Sequence, residues 1–181
     1  MSYTVGIGAL LDTETFNLVR FLELASASAT RNYAGLGQPP HITVKRPFQV
    51  DTLEDVEKLR KLLSDVARQT APFDVQYRSL GSFGDTTLFL TVQPSAELQK
   101  LHEMLLGALR GVFGSVESLH EGKEMVFHTS IAVGLQEDQL QMAKEKLSED
   151  VAVSCSIRKL GLFLGLDDNT HWSVISEAEL V

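Results

Sequence analysis

Cysteine is nearly missing from this chain: Cys155 is the only one in 181 residues. That excludes an internal disulfide framework and any cysteine-rich zinc site, and it fits a reducing compartment. Cys155 itself reads as a packing residue in a strand. Long hydrophobic runs are missing too, since nothing approaches the roughly 18 apolar residues that suggest a membrane span. The N-terminal apolar run has no basic region ahead of it, and Asp12 and Glu14 follow it at once, so it does not read as a secretory signal. A soluble, cytoplasmic protein is expected. Positive charge is scarce, with 16 Lys and Arg against 24 Asp and Glu and a net charge of −8. Such a balance disfavours an extended nucleic-acid surface, which has to neutralise many phosphates, but a small anionic ligand or a chain end needs only a local positive site. No His-Glu-x-x-His, no calcium loop and no carboxylate cluster beside the histidines discussed below offers a metal site, so no metal or cofactor is expected.

What is present is enough apolar material, 44% of the residues, to bury a real core. Tyr3 to Leu11 is β-prone. Asp12 is a natural N-cap for a helix from Thr13 to Ala29, with apolar residues at Phe16, Val19, Leu22 and Leu24. A loop from Thr30 to Pro40 leads to a strand from His41 to Phe48. Asp51 and Glu54 then form a capping-box pattern for a helix to about Gln69, and a strand spans about Phe73 to Phe83. The order β-α-β-α-β then starts again. Thr87 to Val92 is a strand, Pro94 and Ser95 open a helix to about Phe113, His128 to Leu135 is a strand, Gln136 to Glu149 a helix, and Val151 to Leu164 a strand. Leu80-Gly81-Ser82-Phe83 lies 39 residues after His41, and Leu160-Gly161-Leu162-Phe163 lies 32 residues after His128. This is an internal duplication. The expected organisation is a single domain over 1–181, built from units at about 3–84 and 86–165 with a C-terminal strand at about 171–178.

The duplication gives weight to a pattern that is otherwise weak. Pro40-His41-Ile42-Thr43-Val44 and Phe127-His128-Thr129-Ser130-Ile131 each place a histidine two residues before a hydroxyl in a strand. Residues i and i+2 of a strand share a face, so each motif presents one imidazole with one hydroxyl. With 27 serines and threonines in the chain, five histidines give fewer than one such match by chance, and three occur. The third, His171-Trp172-Ser173, follows the second Leu-Gly-x-Phe and has no equivalent to the other two. Preceded by the turn Asp167-Asp168-Asn169-Thr170, His171 reads as a hairpin residue, and Trp172, on the opposite face, as a packing residue. His102 and His120 read as helix-packing or surface residues.

Two histidines facing one another can cleave a phosphodiester in line, one taking the proton of the attacking oxygen while the other protonates the leaving oxygen. One must start neutral and the other protonated. Thr43 and Ser130 would donate hydrogen bonds to the non-bridging phosphoryl oxygens. By alternation Lys45 joins His41 and Thr43 on one face, as a candidate phosphate-neutralising group, while Ile42, Val44 and Arg46 take the other. Ala132 holds the place of Lys45 in the second strand. Tyr33 in the glycine-rich loop and Phe48 after the first motif are candidate base contacts.

Paired His-x-Thr/Ser strands in duplicated units, each followed by Leu-Gly-x-Phe, resemble the two-histidine phosphoesterase superfamily over nearly the whole chain. That superfamily includes RNA 2',3'-cyclic phosphodiesterases, the proteins called 2'-5' RNA ligases, and members that only bind nucleotides. The resemblance implies a bilobal α+β fold, its lobes built from the two repeat units and related by a pseudo-twofold axis, with antiparallel sheets lining a central cleft that holds both motifs, His41 and His128 as acid and base, and Thr43 and Ser130 as phosphate ligands. The second motif departs from the family's usual form, with Phe127 where proline often stands and Thr129 where an aliphatic residue is usual. The expected activity is metal-independent hydrolysis of a 2',3'-cyclic phosphate or a related small nucleotide or RNA-end phosphodiester. Ligation of a 2'-5' bond by the reverse reaction, and a nucleotide-binding module without turnover, are the alternatives. The partner is a small nucleotide or an RNA terminus carrying a cyclic or 2'-5' phosphodiester, and a monomer suffices because the duplication supplies both halves of the site.

Overall fold

The structure, a computed structural model, describes residues 2–147, 150–166 and 171–181. The turn expected at Asp167 to Thr170 lies outside them. Strand β1 (Tyr3–Leu10), helix α1 (Thr13–Thr30), β2 (His41–Val50), α2 (Leu53–Ala67) and β3 (Phe73–Phe83) form the first unit. The second contains β4 (Thr87–Val92), α3 (Ala96–Phe113), β5 (His128–Ala132), α4 (Glu137–Lys146), β6 (Asp150–Ile157) and β7 (Lys159–Gly165), with β8 (Trp172–Glu179) closing the chain. Short 3-10 turns at Ala34–Gly37 and Gly122–Glu124 precede the two histidine strands.

The helix starts follow local chemistry. Asp12 accepts from the Thr15 amide at 2.8 Å, and its second oxygen accepts from the Ser156 amide at 2.7 Å, so one carboxylate caps α1 and ties it to β6. Ser95 caps α3 through the Leu98 amide at 3.2 Å. For α2 the cap is Thr52, accepting from the Asp55 amide at 3.1 Å, one residue later than the pattern at Asp51 predicts. A threonine side chain placed before the first helical residue reaches that amide directly.

All pairings are antiparallel, in two four-stranded sheets ordered β2-β1-β7-β8 and β5-β4-β3-β6. This is the α+β duplication, but the lobes do not follow the repeat boundaries. The third strand of the first unit, β3, pairs with β4 of the second, and β7 pairs with β1. The single strand expected from Val151 to Leu164 is therefore two, because the chain leaves one sheet at Ile157 and enters the other at Lys159. The helices are exchanged as well. α1 and α4 pack together, on the β5 and β4 side, while α2 and α3 pack on β7, β8 and β2. Residues such as Val5, Ile7, Leu59, Leu63, Leu88, Leu90, Leu105 and Leu109 fill the space between sheets and helices. Their burial, worth roughly 1.5–3 kcal/mol per large apolar side chain, leaves the other faces of both sheets for a cleft. Among the described residues no helix is long and apolar enough to cross a membrane.

Candidate functional site

The cleft has a volume of about 630 Å³, and His41, Thr43, His128 and Ser130 all line it. Each imidazole is fixed by the same local device. His41 Nδ1 lies 2.8 Å from the Pro39 carbonyl and His128 Nδ1 lies 2.8 Å from the Val126 carbonyl. A carbonyl only accepts, so Nδ1 carries the hydrogen in both rings and Nε2 is left for the cleft chemistry. The Pro39 end is anchored by Arg20, whose guanidinium donates to the carbonyls of Leu36 and Gln38 at 3.4 and 3.2 Å. His41 Nε2 lies 3.3 Å from the Thr43 hydroxyl.

The Leu-Gly-x-Phe landmarks serve the opposite motif. The His41 ring lies 4.2 Å from that of Phe163, at the end of the second unit's landmark, and the His128 ring lies 4.9 Å from that of Phe83, at the end of the first's. Strand exchange between the sheets makes this crossing possible. Under the rings the halves differ. Gly8 pairs with Thr43 and Gly161 in one sheet, as Phe89 pairs with Ser130 and Gly81 in the other. A Cβ at Gly8 would come within 2.6 Å of His41 Cδ2, so the first imidazole needs bare backbone beneath it. His128 instead rests against the Phe89 ring, 4.9 Å away.

Burial holds both imidazoles below the usual histidine range. His41 falls to about 4, because burial and the nearby His128 charge outweigh the Pro39 hydrogen bond. His128 is lowered by burial and by the charge of Arg46, against the Val126 hydrogen bond. Both are neutral at pH 7 in the free protein.

Lys45 does not offer its charge to the cleft. The β1–β2 ladder slips where Gly8 pairs with Thr43 but Ile7 pairs with Lys45, and again before Val5 pairs with Phe48. An extra residue at such a bulge breaks the alternation. The side chains of Val44 and Lys45 are consequently both buried, so that Lys45 borders the cleft with its ammonium turned to Glu121, and Arg46 joins the lining from the face that strict alternation gives to the core. The Lys45 ammonium contacts both Glu121 oxygens at 3.0 and 3.1 Å and donates to the Arg46 carbonyl at 2.9 Å. Glu121 also accepts from the amides of Arg46 and Ser118 at 2.8 and 2.7 Å. Burial would raise that carboxyl, but these amides and the ammonium outweigh it and hold it below its ordinary value. The second motif slips at the same place, putting Ala132 in the core and Val133 in the cleft, where Arg46 stands in the first half.

The two candidate base contacts lie elsewhere. Tyr33 is 56% exposed beside the 3-10 turn and does not line the cleft. Phe48 packs against Phe113 at 6.4 Å, with the Lys45 ammonium 4.9 Å over its ring, because the second slip carries it past the cleft. Phe83, Phe163, Trp172 and His120 line the cleft instead. The repeat landmarks pointed to the two phenylalanines; Trp172 and His120 left no such signal. His171 is exposed and outside the lining. His102 is fully buried, its Nδ1 donating to the Val44 carbonyl at 2.6 Å and its Nε2 accepting from the Gly122 amide at 2.8 Å. It straps the loop before β5 to the bulge of β2. Thr129 is buried too, and its hydroxyl meets the Tyr77 hydroxyl at 2.7 Å, which satisfies the polar group where an aliphatic residue is usual. Among the described residues no group of three or more His, Cys, Asp or Glu side chains is placed to hold a metal ion.

Comparison with known proteins gives the family and the fold. A protein of Oceanobacillus iheyensis named "Putative phosphoesterase OB1230" is 31% identical over 149 residues, covering 75% of this chain and 76% of that one. A similarly named protein of Geobacillus kaustophilus is 38% identical over 73 residues, a stretch that spans 39% of this chain and 42% of its relative. In fold, the chain is similar to E. coli LigT complexed with 3'-AMP, with a TM-score of 0.72 at 16% identity over 100% of this chain and 99% of that one. It is also similar to TT0787 of Thermus thermophilus, with a TM-score of 0.65 at 13% identity over 98% and 97% of the two chains. The model of the 2'-5' RNA ligase superfamily matches residues 17–169, and with both of its histidine motifs inside that span the chain belongs to this superfamily, the two-histidine phosphoesterases.

Proposed function

We propose that the protein is a metal-independent phosphodiesterase that opens a 2',3'-cyclic phosphate, or a related small nucleotide or RNA-end phosphodiester, with His41 and His128 as its acid and base. The observation that carries this reading is the matched pair of Nδ1–H to carbonyl bonds, which leaves two Nε2 atoms and two hydroxyls for one cleft. In the reaction, one neutral imidazole takes the proton of the attacking water at Nε2 while the water oxygen bonds to phosphorus. The other imidazole, protonated, gives its Nε2 proton to the departing ribose oxygen as the P–O bond breaks. The hydroxyls of Thr43 and Ser130 donate to the non-bridging oxygens, and Arg46, in the cleft lining, supplies a local positive charge in a chain of net charge −8. Since both imidazoles are neutral in the free protein, the acid acquires its proton alongside the anionic substrate. Nucleotide ligands of the kind named for the E. coli neighbour, 3'-AMP among them, fit such a cleft.

The test is turnover of 2',3'-cyclic nucleotides by the purified protein in EDTA, beside His41→Ala and His128→Ala. Each variant should lose roughly 10²–10⁴-fold in kcat, the usual contribution of a positioned acid or base. Activity that survives unchanged in both variants sinks the proposal. Saturable nucleotide binding with no product would favour a binding module.

A further inference from the structure

We infer that Trp172 is the platform on which the substrate's nucleobase stacks, so that the cleft selects nucleotide phosphodiesters over those of simple sugars. The inference rests on the phosphodiester reading of the same cleft and names its substrate class. Trp172 is the chain's single tryptophan, borders the cleft and is half-buried. Its seat is made of backbone. A Cβ built at Gly165 would lie 3.1 to 3.2 Å from three carbons of the benzo ring, Cζ3, Cη2 and Cζ2, and one at Gly6 would lie 3.9 Å from Cζ3. Near-equal distances to three adjacent ring atoms mean that the indole lies flat on β7 by one face. Glycine at this position leaves the ring its seat, since 3.1 Å is closer than a side-chain carbon comfortably approaches.

The seat stands at a useful distance from the chemistry. His41 lies over Gly8, and Gly6 is two residues along the same strand, roughly 7 Å away. That is about the reach of one ribose between a phosphorus held at the imidazoles and an attached base. The second sheet offers no such seat. By the pairing of Phe89 with Gly81, the positions matching Gly6 and Gly165 are Thr87 and Asp85, neither of them a glycine, and Asp85 falls in the turn between the strands. The glycine-seated indole therefore has no counterpart on the other side of the phosphate, where the edge of the cleft is Phe83, packed on His128. A flat aromatic surface suits any base, so purine and pyrimidine nucleotides should both bind.

Because Trp172 is unique, its fluorescence reports the contact directly. AMP and 2',3'-cyclic AMP should quench it saturably, and ribose 5-phosphate should not, although it should compete. Wild-type protein should show a KM about tenfold lower for 2',3'-cyclic AMP than for ribose 2',3'-cyclic phosphate, as expected for one stacked base. In Trp172→Ala that difference should collapse, with the loss falling on KM, and Trp172→Phe should restore most of it. Calorimetric binding of AMP without any change in emission, or an undiminished preference in Trp172→Ala, overturns the platform. Quenching by AMP with no turnover of any cyclic phosphate supports the platform and overturns the phosphodiesterase. Equal turnover of nucleotide and sugar cyclic phosphates, with no quenching, does the reverse. Neither binding nor turnover overturns both.

Discussion

The two halves of the cleft carry the same motif on the same bulged strand pair, yet their surroundings differ in three places. Beneath the imidazole, the first half has Gly8 at the position where the second has Phe89. Just after the bulge, Arg46 in the first half stands where Val133 stands in the second. Behind the bulge, Lys45 with Glu121 replaces the small, apolar Ala132. A duplicated scaffold gives two equal jaws, but the proposed cleavage needs one base and one acid, and the proposed substrate carries its nucleobase on one side only. The unequal substitutions are where such a scaffold becomes directional.

The buried ion pair is where this comparison breaks most severely. Both side chains of Lys45 and Glu121 are at most 1% exposed, so removing one partner strands a charge in the core. Lys45→Met should cost about 3–5 kcal/mol in denaturant unfolding, and the double variant Lys45→Met/Glu121→Leu should recover much of it. A single variant as stable as the wild type would show that the pair does not hold the loop before β5. Gly8→Ala comes next. Its Cβ would sit 2.6 Å from His41 Cδ2 and 2.9 Å from Phe163, and both must move. An imidazole displaced by about 1 Å typically loses on the order of 10²-fold in rate, so kcat should fall that far with little change in fold. An unchanged kcat would mean that the His41 position tolerates what the matched half already contains, a side chain beneath the ring.

The smallest effect concerns Arg46 and pH. On the proposed mechanism the reacting form carries one proton on the two histidines, and kcat/KM follows the population of that form in the free protein. Because His41 titrates at about 4 and His128 is lowered from its ordinary 6.5, that form is most populated between those two values. The kcat/KM profile should therefore peak below pH 6.5 and fall on the alkaline side. Arg46→Ala should raise KM about tenfold, in keeping with the loss of a charged hydrogen bond. It should also move the alkaline limb to higher pH, since removing the cation lets His128 hold its proton longer. A limb that stays in place would separate Arg46 from His128.

Much of this was legible in the residues. Asp12 and Ser95 as caps, the helix bearing Leu59 and Leu63, the two histidine strands and the duplication itself all rest on local chemistry and periodicity. Lys45, Phe48 and Tyr33 illustrate the other kind of feature. Period-two alternation assumes an unbroken ladder, and the slips opposite Ile7 turned Lys45 inward, Arg46 outward and Phe48 away. Pro47 was the one signal in that stretch, since a strand holds proline at an edge or a bulge, and it did not say which of the two or at which residue the ladder slips. The break at Arg158 was equally hidden, because both sides of it read as β.

The order of elements, the paired His-x-hydroxyl motifs and their equivalence belong to the amino-acid sequence, because strand alternation, capping and repetition act over a few residues. Which strand each unit lends to the other's sheet was settled by tertiary structure. So were the registers at which β1 meets β2 and β4 meets β5. The β1–β7 pairing and both of these registers depend on partners more than 30 residues apart, chosen by how the sheets and helices bury their apolar faces together.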